Sequence, residues 1–301
     1  MRHPAARALL AHTAAPRTPR FVSRAASSSS SPSSNSSASA APATAPLNPR
    51  WLSDLKARIG KCIMFGLKPA QVQRAGAILL EMSRDWRELV AGSEGFLTTK
   101  GWRGLYRQGV VWGEMVRSTL YGRWVGHVNN VTYNRYAESA RVNWTLNYAN
   151  IHDPAHKTEW SQLVSSMGHG LILRSIKTDY KFPMTYPDRV TVLHKLRSEP
   201  SPDTDSFILD VIILSEVHRR AAARCVEDVV VYDYKRARKA PLKGFMVEQF
   251  RKTFALQEAA KQKYGERVKR LAEEVRGLEQ DSWDKEGAVE DFGSSKQQQV
   301  E

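Results

Sequence analysis

Apolar positions recur at helical intervals from Trp51 to about Ala91. Leu52, Leu55 and Ile59 form one stripe, and Val72, Ala75, Leu79, Met82, Trp86 and Leu89 form a second. Gly66 and Pro69 separate the two predicted helices, and Gly92-Ser93-Glu94-Gly95 stops the second. The short apolar segment Gly109-Val110-Val111-Trp112 reads as a strand. Val131, Tyr133 or Asn134, Ala137, Ala140 or Arg141, and Trp144 then share one face of a helix running to about Tyr148. Asn129 or Asn130 suits its N-cap, because an Asn side chain can satisfy free amides of the first turn.

Period-two patterns dominate the next hundred residues. Leu171–Tyr180 carries Ile172, Ile176 and Tyr180 on one face, and Arg189–Leu196 alternates Val190, Val192 and Leu196 with Thr191 and Lys195. Phe207–Ser215 is apolar on both faces apart from Asp210, as a central strand should be, and Ala222–Tyr232 closes the series. Pro183, Tyr186-Pro187-Asp188 and Ser198-Glu199-Pro200-Ser201-Pro202 supply turns. A strand, a helix and four long strands predict an α+β fold, an antiparallel sheet wrapped around one long buried helix. Beyond Pro241 the pattern is helical again from about Met246 to Gln280. Tyr264, Val268, Leu271, Val275 and Leu278 form a narrow seam expected to dock on the domain. The acidic, Gln-rich end from Asp281 to Glu301 reads as a disordered tail.

Composition changes the picture mainly at the N-terminus. Residues 1–50 hold Arg2, Arg7, Arg17, Arg20, Arg24 and Arg50 and no acid, and Ser27–Pro46 is a Ser/Ala/Pro stretch with almost nothing to bury. An Arg-, Ser- and Ala-rich, acid-free leader without a continuous apolar core predicts mitochondrial targeting, and the matrix as destination. The formal charge of the whole chain is +14, and without the leader a basic excess of +8 remains. That excess suits an anionic partner such as coenzyme A; nucleic acid or anionic lipid would suit it too, and sign alone does not choose. No apolar run approaches the roughly 20 residues of a membrane-spanning helix. The two cysteines, Cys62 and Cys225, form no CxxC or Cys/His cluster, so both read as buried apolar residues, with no metal site expected. Four segments result: a transit peptide and linker at 1–49, a helical extension at 50–100, the main domain at 101–245, and a helix and tail at 246–301.

The segment Gly126-His127-Val128-Asn129-Asn130-Val131-Thr132-Tyr133-Asn134-Arg135-Tyr136-Ala137-Glu138-Ser139-Ala140-Arg141 resembles the signature of 4-hydroxybenzoyl-CoA thioesterase-type hotdog proteins. Lys177-Thr178-Asp179-Tyr180-Lys181-Phe182-Pro183 and Tyr186-Pro187-Asp188 resemble that family's next landmark. The resemblance covers roughly residues 108–236. It implies a hotdog fold and a homodimer, or a higher homo-oligomer, whose sheets join edge to edge. It also implies hydrolysis of an acyl thioester on coenzyme A or acyl carrier protein, with no cofactor. Active sites in such proteins lie near the N-terminus of the central helix, where free amides stabilise a developing oxyanion. Carried over residue by residue, the catalytic candidates are His127, Asn129, Asn130 and Glu138, with the oxyanion amide at Asn130 and Glu138 activating water. The substrate-binding candidates are Gly126 and Tyr133. The basic run at Lys235, Arg236 and Arg238 adds groups suited to the phosphates of coenzyme A.

Bland readings stand beside these. Asn129 and Asn130 cap a helix in any case, Glu138 and Arg141 have the spacing of an ordinary ion pair, and a basic run can be a solvated strand end. One departure matters. Many relatives place an Asp three residues before the motif glycine, and Arg123 stands there. An acid occurs upstream instead, in Trp112-Gly113-Glu114-Met115, so Val116–Val125 reads as an inserted loop or as a misread splice junction that displaced the Asp. The departure also admits a rival reading, a non-catalytic hotdog subunit of a mitochondrial assembly such as the ribosome.

Overall fold

The computed structural model describes residues 48–291, except 121–122, 166 and 202, and the side chains of 117–125 also stay outside the description. The expected targeting segment up to residue 47 and the last ten residues, 292–301, lie outside the described residues. Helices α1 (Trp51–Met64), α2 (Pro69–Arg84) and α3 (Trp86–Val90) open the structure. Pro69 occupies the first turn of α2, where its fixed φ fits and its missing N–H costs nothing. Strand β1 (Arg103–Gly109) follows, then β2 (Met115–Leu120), β3 (Arg123–Val128), α4 (Asn130–Asn147) and the short α5 (Lys157–Gln162). The chain ends in β4 (His169–Tyr180), β5 (Arg189–Leu196), β6 (Ser206–Ser215), β7 (Arg220–Asp233), β8 (Arg238–Lys239) and α6 (Gly244–Asp281).

The main sheet has six strands in the order β1-β5-β6-β7-β4, with β8 on β7 and every pairing antiparallel. Alternation along the strands sends two sets of side chains to opposite faces. Val190, Val192, Val211, Ile213, Ala223 and Cys225 meet Tyr133, Tyr136, Ala137 and Ala140 of α4. Further along the same face, Leu196, Leu209, Val229 and Val231 meet Trp144 and Tyr148. Leu193, Ile212 and Leu214 point the other way, into a core built from α1–α3 and the seam Val268, Leu271, Val275 and Leu278 of α6. The helix gripped by an antiparallel sheet is the hotdog fold, here with a second helical layer over the sheet's outer face.

Two features seat α4. Gly104 of β1 passes so close that a Cβ there would lie 2.4 Å from the Ala140 carbonyl oxygen, and Asn143 donates to the Gly104 carbonyl at 2.9 Å. Only a residue without a side chain allows that approach. Arg141 turns inward and donates to Glu227 of β7 at 2.7 Å, with the Glu227 side chain fully buried. His194 Nε2 lies 3.4 Å from the other Glu227 oxygen, without hydrogen-bond geometry. Burial alone would raise the Glu227 pKa, but its interactions with His194 and Arg141 outweigh that and hold the carboxyl below its ordinary 4.5.

Several expectations need correction. The strand expected at 109–112 lies earlier, because β1 is a bulged edge strand with mostly exposed side chains and little apolar signal. Trp112–Glu114 is instead a helical turn. The inserted loop is a hairpin, Met115–Leu120 paired with Arg123–Val128, so Gly126 to Val128 end a strand. Val131 is 56% exposed, not on the inner face. Arg141 bonds Glu227 rather than pairing with Glu138 on the helix surface. Part of the expected tail packs back: Trp283 joins the α1–α6 core under Lys61, and the Asp291 amide bonds the Met64 carbonyl at 2.8 Å.

Gly104→Ala should cost about 1–3 kcal/mol in urea unfolding through overpacking against Ala140. A loss below that range would show that the approach is relaxed. Glu227→Gln should cost about 3 kcal/mol at neutral pH by leaving Arg141 buried without a carboxylate. Because folding depresses the Glu227 pKa, its contribution is complete above the unfolded value and is lost as pH falls through the folded one. The stability gap between wild type and Glu227→Gln should therefore narrow on acidification below about pH 4.5.

Candidate active site

Helix α4 starts where the β2–β3 hairpin returns to its own base. The Asn129 amide donates to the Glu114 carbonyl at 2.9 Å, joining the residue before the hairpin to the residue after it. Asn129 is the N-cap. Its side-chain oxygen accepts from the Val131 amide at 3.2 Å, and its carbonyl accepts from the Thr132 amide at 2.9 Å. The Asn130 amide, first in the helix, has no acceptor among the described residues. It points out of the positive end of a helix of 18 residues, and Asn130 is exposed.

Residues from three directions hold this end. Tyr180 at the end of β4 donates to the Asn130 carbonyl at 3.1 Å, and Thr178 donates to the Asn134 side chain at 2.8 Å. The loop after β4 adds the Val128 amide to the Met184 carbonyl at 2.8 Å, and the Met184 amide to the Tyr133 hydroxyl at 3.2 Å. Glu114 accepts from the Tyr136 hydroxyl at 2.7 Å and from the Val111 amide at 3.2 Å. Burial first, and then the Glu114 carboxylate, push the Tyr136 hydroxyl far above its ordinary range, so it stays a donor. His127 is half-buried beside the cap, its Nδ1 within 3.0 Å of the Val128 carbonyl oxygen.

The candidates from sequence divide into four groups. Gly126, His127, Asn129 and Asn130 gather at the start of α4. Glu138 is exposed on the outer side of α4, about 12 Å along the axis from Asn130. Tyr133 belongs to the core at 2% exposure, with its hydroxyl taken by Met184, so it does not line an open site. Lys235, Arg236 and Arg238 sit at the far end of the sheet, where Asp233 pairs with His169, whereas Tyr180 pairs with Ala223 at the α4 end. The length of β4, roughly 35 Å, separates the two places within one chain. Lys235 and Arg236, with Lys243, His169, Glu159 and Asp233, line a cleft of about 460 Å³ there. Asp233 caps that loop by accepting from the Lys235 and Arg236 amides at 3.0 and 3.2 Å. Arg238 is exposed on β8 outside that lining.

Glu114 is the group at the site that received no role from sequence alone. The signal is its place at the end of Trp112-Gly113-Glu114, ahead of the motif at 126–130. Cys62 and Cys225 are buried, and burial raises the Cys225 thiol to about 11, so it is not a thiolate at neutral pH. Among the described residues, no group of His, Cys, Asp or Glu is arranged to hold a metal ion, and no helix is long and apolar enough to cross a membrane.

Residues 123–250 match the Thioesterase-like superfamily. The match spans the second strand of the hairpin, α4, the strands from β4 to β8 and the start of α6, and so contains the start of α4 and the basic loop. Among solved structures, a thioesterase from Thermus thermophilus complexed with coenzyme A and Zn is similar at 21% identity. That likeness covers 47% of this chain and 94% of the other, with a TM-score of 0.33. A DHNA-CoA thioesterase from Staphylococcus aureus is similar at 16% identity over 50% of this chain and 90% of its own, with a TM-score of 0.36. No curated protein matches the chain.

The two asparagines should separate cleanly. Asn129→Ala removes the cap acceptor and should cost about 1 kcal/mol in thermal or urea unfolding. Asn130→Ala, whose side chain has no hydrogen-bond partner among the described residues, should stay within about 0.5 kcal/mol of wild type. Equal losses from the two would contradict the assignment of Asn129 as the cap.

Proposed function

We propose that the protein hydrolyses an acyl thioester, carried on coenzyme A or acyl carrier protein, in the mitochondrial matrix. The observation that carries this reading is the unpartnered Asn130 amide at the exposed positive end of α4, beside the pinned carboxylate Glu114. The matrix assignment rests on the acid-free, Arg-rich leader.

The chemistry follows from where charge develops. Water adds to the thioester carbon, the carbonyl oxygen becomes an oxyanion, and the Asn130 N–H with the helix dipole stabilises it. Glu114 takes the proton from the attacking water. Collapse of the tetrahedral intermediate breaks the C–S bond, and the departing sulfur takes that proton to leave as a thiol. His127, held by its Nδ1, shapes the approach beside the cap. Glu138 is the second carboxylate candidate, placed for a substrate or a partner copy that covers the outer side of α4.

A homodimer explains the distance between the oxyanion amide and the basic loop. β4 is an edge strand, and among the described residues it is paired as a strand only with β7. Pairing of two copies through antiparallel β4 strands sets the His169 end of one beside the Tyr180 end of the other. The basic loop of one copy then faces the α4 start of its partner, where Lys235 and Arg236 hold the phosphates of coenzyme A.

Proline at position 130 tests the amide directly. As the first helical residue, position 130 tolerates proline, and Asn129 already has the extended φ of −59° and ψ of 138° that proline requires before it. Asn130→Pro therefore removes one N–H and leaves the helix. With a panel of acyl-CoA substrates, wild type and Asn130→Ala should release thiol. Asn130→Pro should lose about 100-fold or more in kcat at unchanged stability. Absence of thiol release by wild type at every chain length would overturn the proposal, and so would full activity of Asn130→Pro.

A further inference from the structure

We infer that the cleft between α3, β1 and the β6–β7 turn is a separate oxyanion site for a small ligand bearing linked phosphate groups. It holds about 510 Å³, within the size range of small-molecule pockets, and its lining includes Arg87, Arg107, Arg189 and Arg219. Arg189 lies on the same face of β5 as Thr191 and Leu193, the face turned toward α1–α3, so the cleft opens across the sheet from α4. It is also remote from Lys235 and Arg236: Arg219 precedes β7 and Lys235 follows it, and a strand of 14 residues, roughly 45 Å, lies between.

The two acids in the lining are already engaged. Glu216 accepts from Arg87 Nε at 3.0 Å and from the Thr191 hydroxyl. Asp188 accepts from the Ser215 hydroxyl at 2.6 Å and from the amides of Arg189 and Val217 at 2.6 and 3.2 Å. Arg107, Arg189 and Arg219 therefore have no carboxylate partner among the described residues, and Arg219 reaches only the neutral Ser83 hydroxyl at 3.2 Å. Charge is crowded there. Burial, and then the charge of Arg219, hold the Lys56 ammonium below its ordinary range. Four guanidinium groups against two carboxylates leave the lining net positive, which raises the local concentration of anions, and planar guanidinium forks fit phosphate oxygens two at a time.

The backbone carries a second sign. Arg107 and Arg219 have φ of 52° and 50°, a left-handed conformation that normally falls to Gly or Asn. Of the three non-glycine residues with positive φ among those described, these two line this one cleft. Outliers of this kind gather at ligand clamps. A concave cleft favours a compact ligand over single-stranded nucleic acid, whose bases stack on open aromatic platforms. Trp86 is buried, and the neighbouring Tyr106, although half exposed, carries Arg103 over its ring at 4.0 Å.

Titration calorimetry of the full chain with inorganic pyrophosphate tests the site, with thermal unfolding as a second readout. Pyrophosphate should bind wild type and raise its Tm. The double variant Arg107→Gln/Arg189→Gln should bind at least about tenfold more weakly, while the charge-matched Lys263→Gln/Lys269→Gln, at exposed positions on α6, stays within about twofold of wild type. Coenzyme A as a second titrant identifies the source of the phosphates. If Arg107→Gln/Arg189→Gln weakens coenzyme A equally, the site takes that molecule's diphosphate; if only pyrophosphate weakens, it takes a separate effector. No heat and no Tm shift with wild type would overturn the inference. Wild-type binding by the arginine variant, or binding to single-stranded RNA but not to pyrophosphate, would do so as well.

Discussion

The seating of α4 in the sheet governs the rest of the molecule. A helix buried along one side must satisfy that side with packing and paired groups while its front end stays open. Here the inner face combines small residues with aromatics: Ala137 and Ala140 let β1 approach, and Trp144 and Tyr148 fill the wider end of the trough. Arg141 and Glu227 then fix the rotation of the helix against β7, since any other register would leave two charges buried apart. With rotation fixed, the first-turn amides face outward beside the loop that follows β4. The chemistry proposed at Asn130 depends on that rotation, not on any loop being rigid by itself.

The second constraint comes from the outer layer. The face of the sheet away from α4 carries Leu193, Ile212 and Leu214 and would be an exposed apolar surface without α1–α3 and α6. Helix α6 reaches both layers. Its start packs with Trp144 and Tyr148, Gln257 bonds both the amide and the carbonyl of Leu196, and its end packs on α1 and α2. Arg267 and Arg270 on Glu81, and Arg58 on Glu279, align the helices of this layer. Covering the outer face leaves β1 and β4 as the two edges of the sheet. The same covering also creates the arginine cleft, because α3 supplies one wall of it.

What the sequence made legible follows from burial. Strands β5, β6 and β7 are central and covered on both faces, so their apolar runs stand out within a residue or two of their true ends. β1 is an edge strand with exposed Tyr106, Arg107 and Gln108, and nothing in its composition marks it. On α4 the helical period is blurred because Thr132, Arg141 and Thr145 face inward while Val131 and Val142 face out. Arg141 finds its partner 86 residues away, and the Thr145 hydroxyl bonds back to the Arg141 carbonyl. No local pattern shows the first of these pairings. A cap at Asn129 or Asn130 was legible because capping is local chemistry; Glu114 was legible only as an acid standing upstream of its expected place, since the intervening residues hide its closeness.

Those intervening residues pose the sharpest question about the site, and hairpin geometry answers it. An antiparallel hairpin returns the chain to its starting point whatever its length. Met115 pairs with Val128, so the residues just outside, Glu114 and Asn129, stand side by side and share a hydrogen bond. An insertion of this form does not displace the flanking segments from each other. The acid at the end of Trp112-Gly113-Glu114 therefore keeps the place beside the helix start that a direct connection would give it. Arg123, which occupies the expected acid position by sequence count, belongs to the hairpin. Counting residues back from Gly126 leads away from the site, while following the hydrogen bond from Asn129 leads to Glu114.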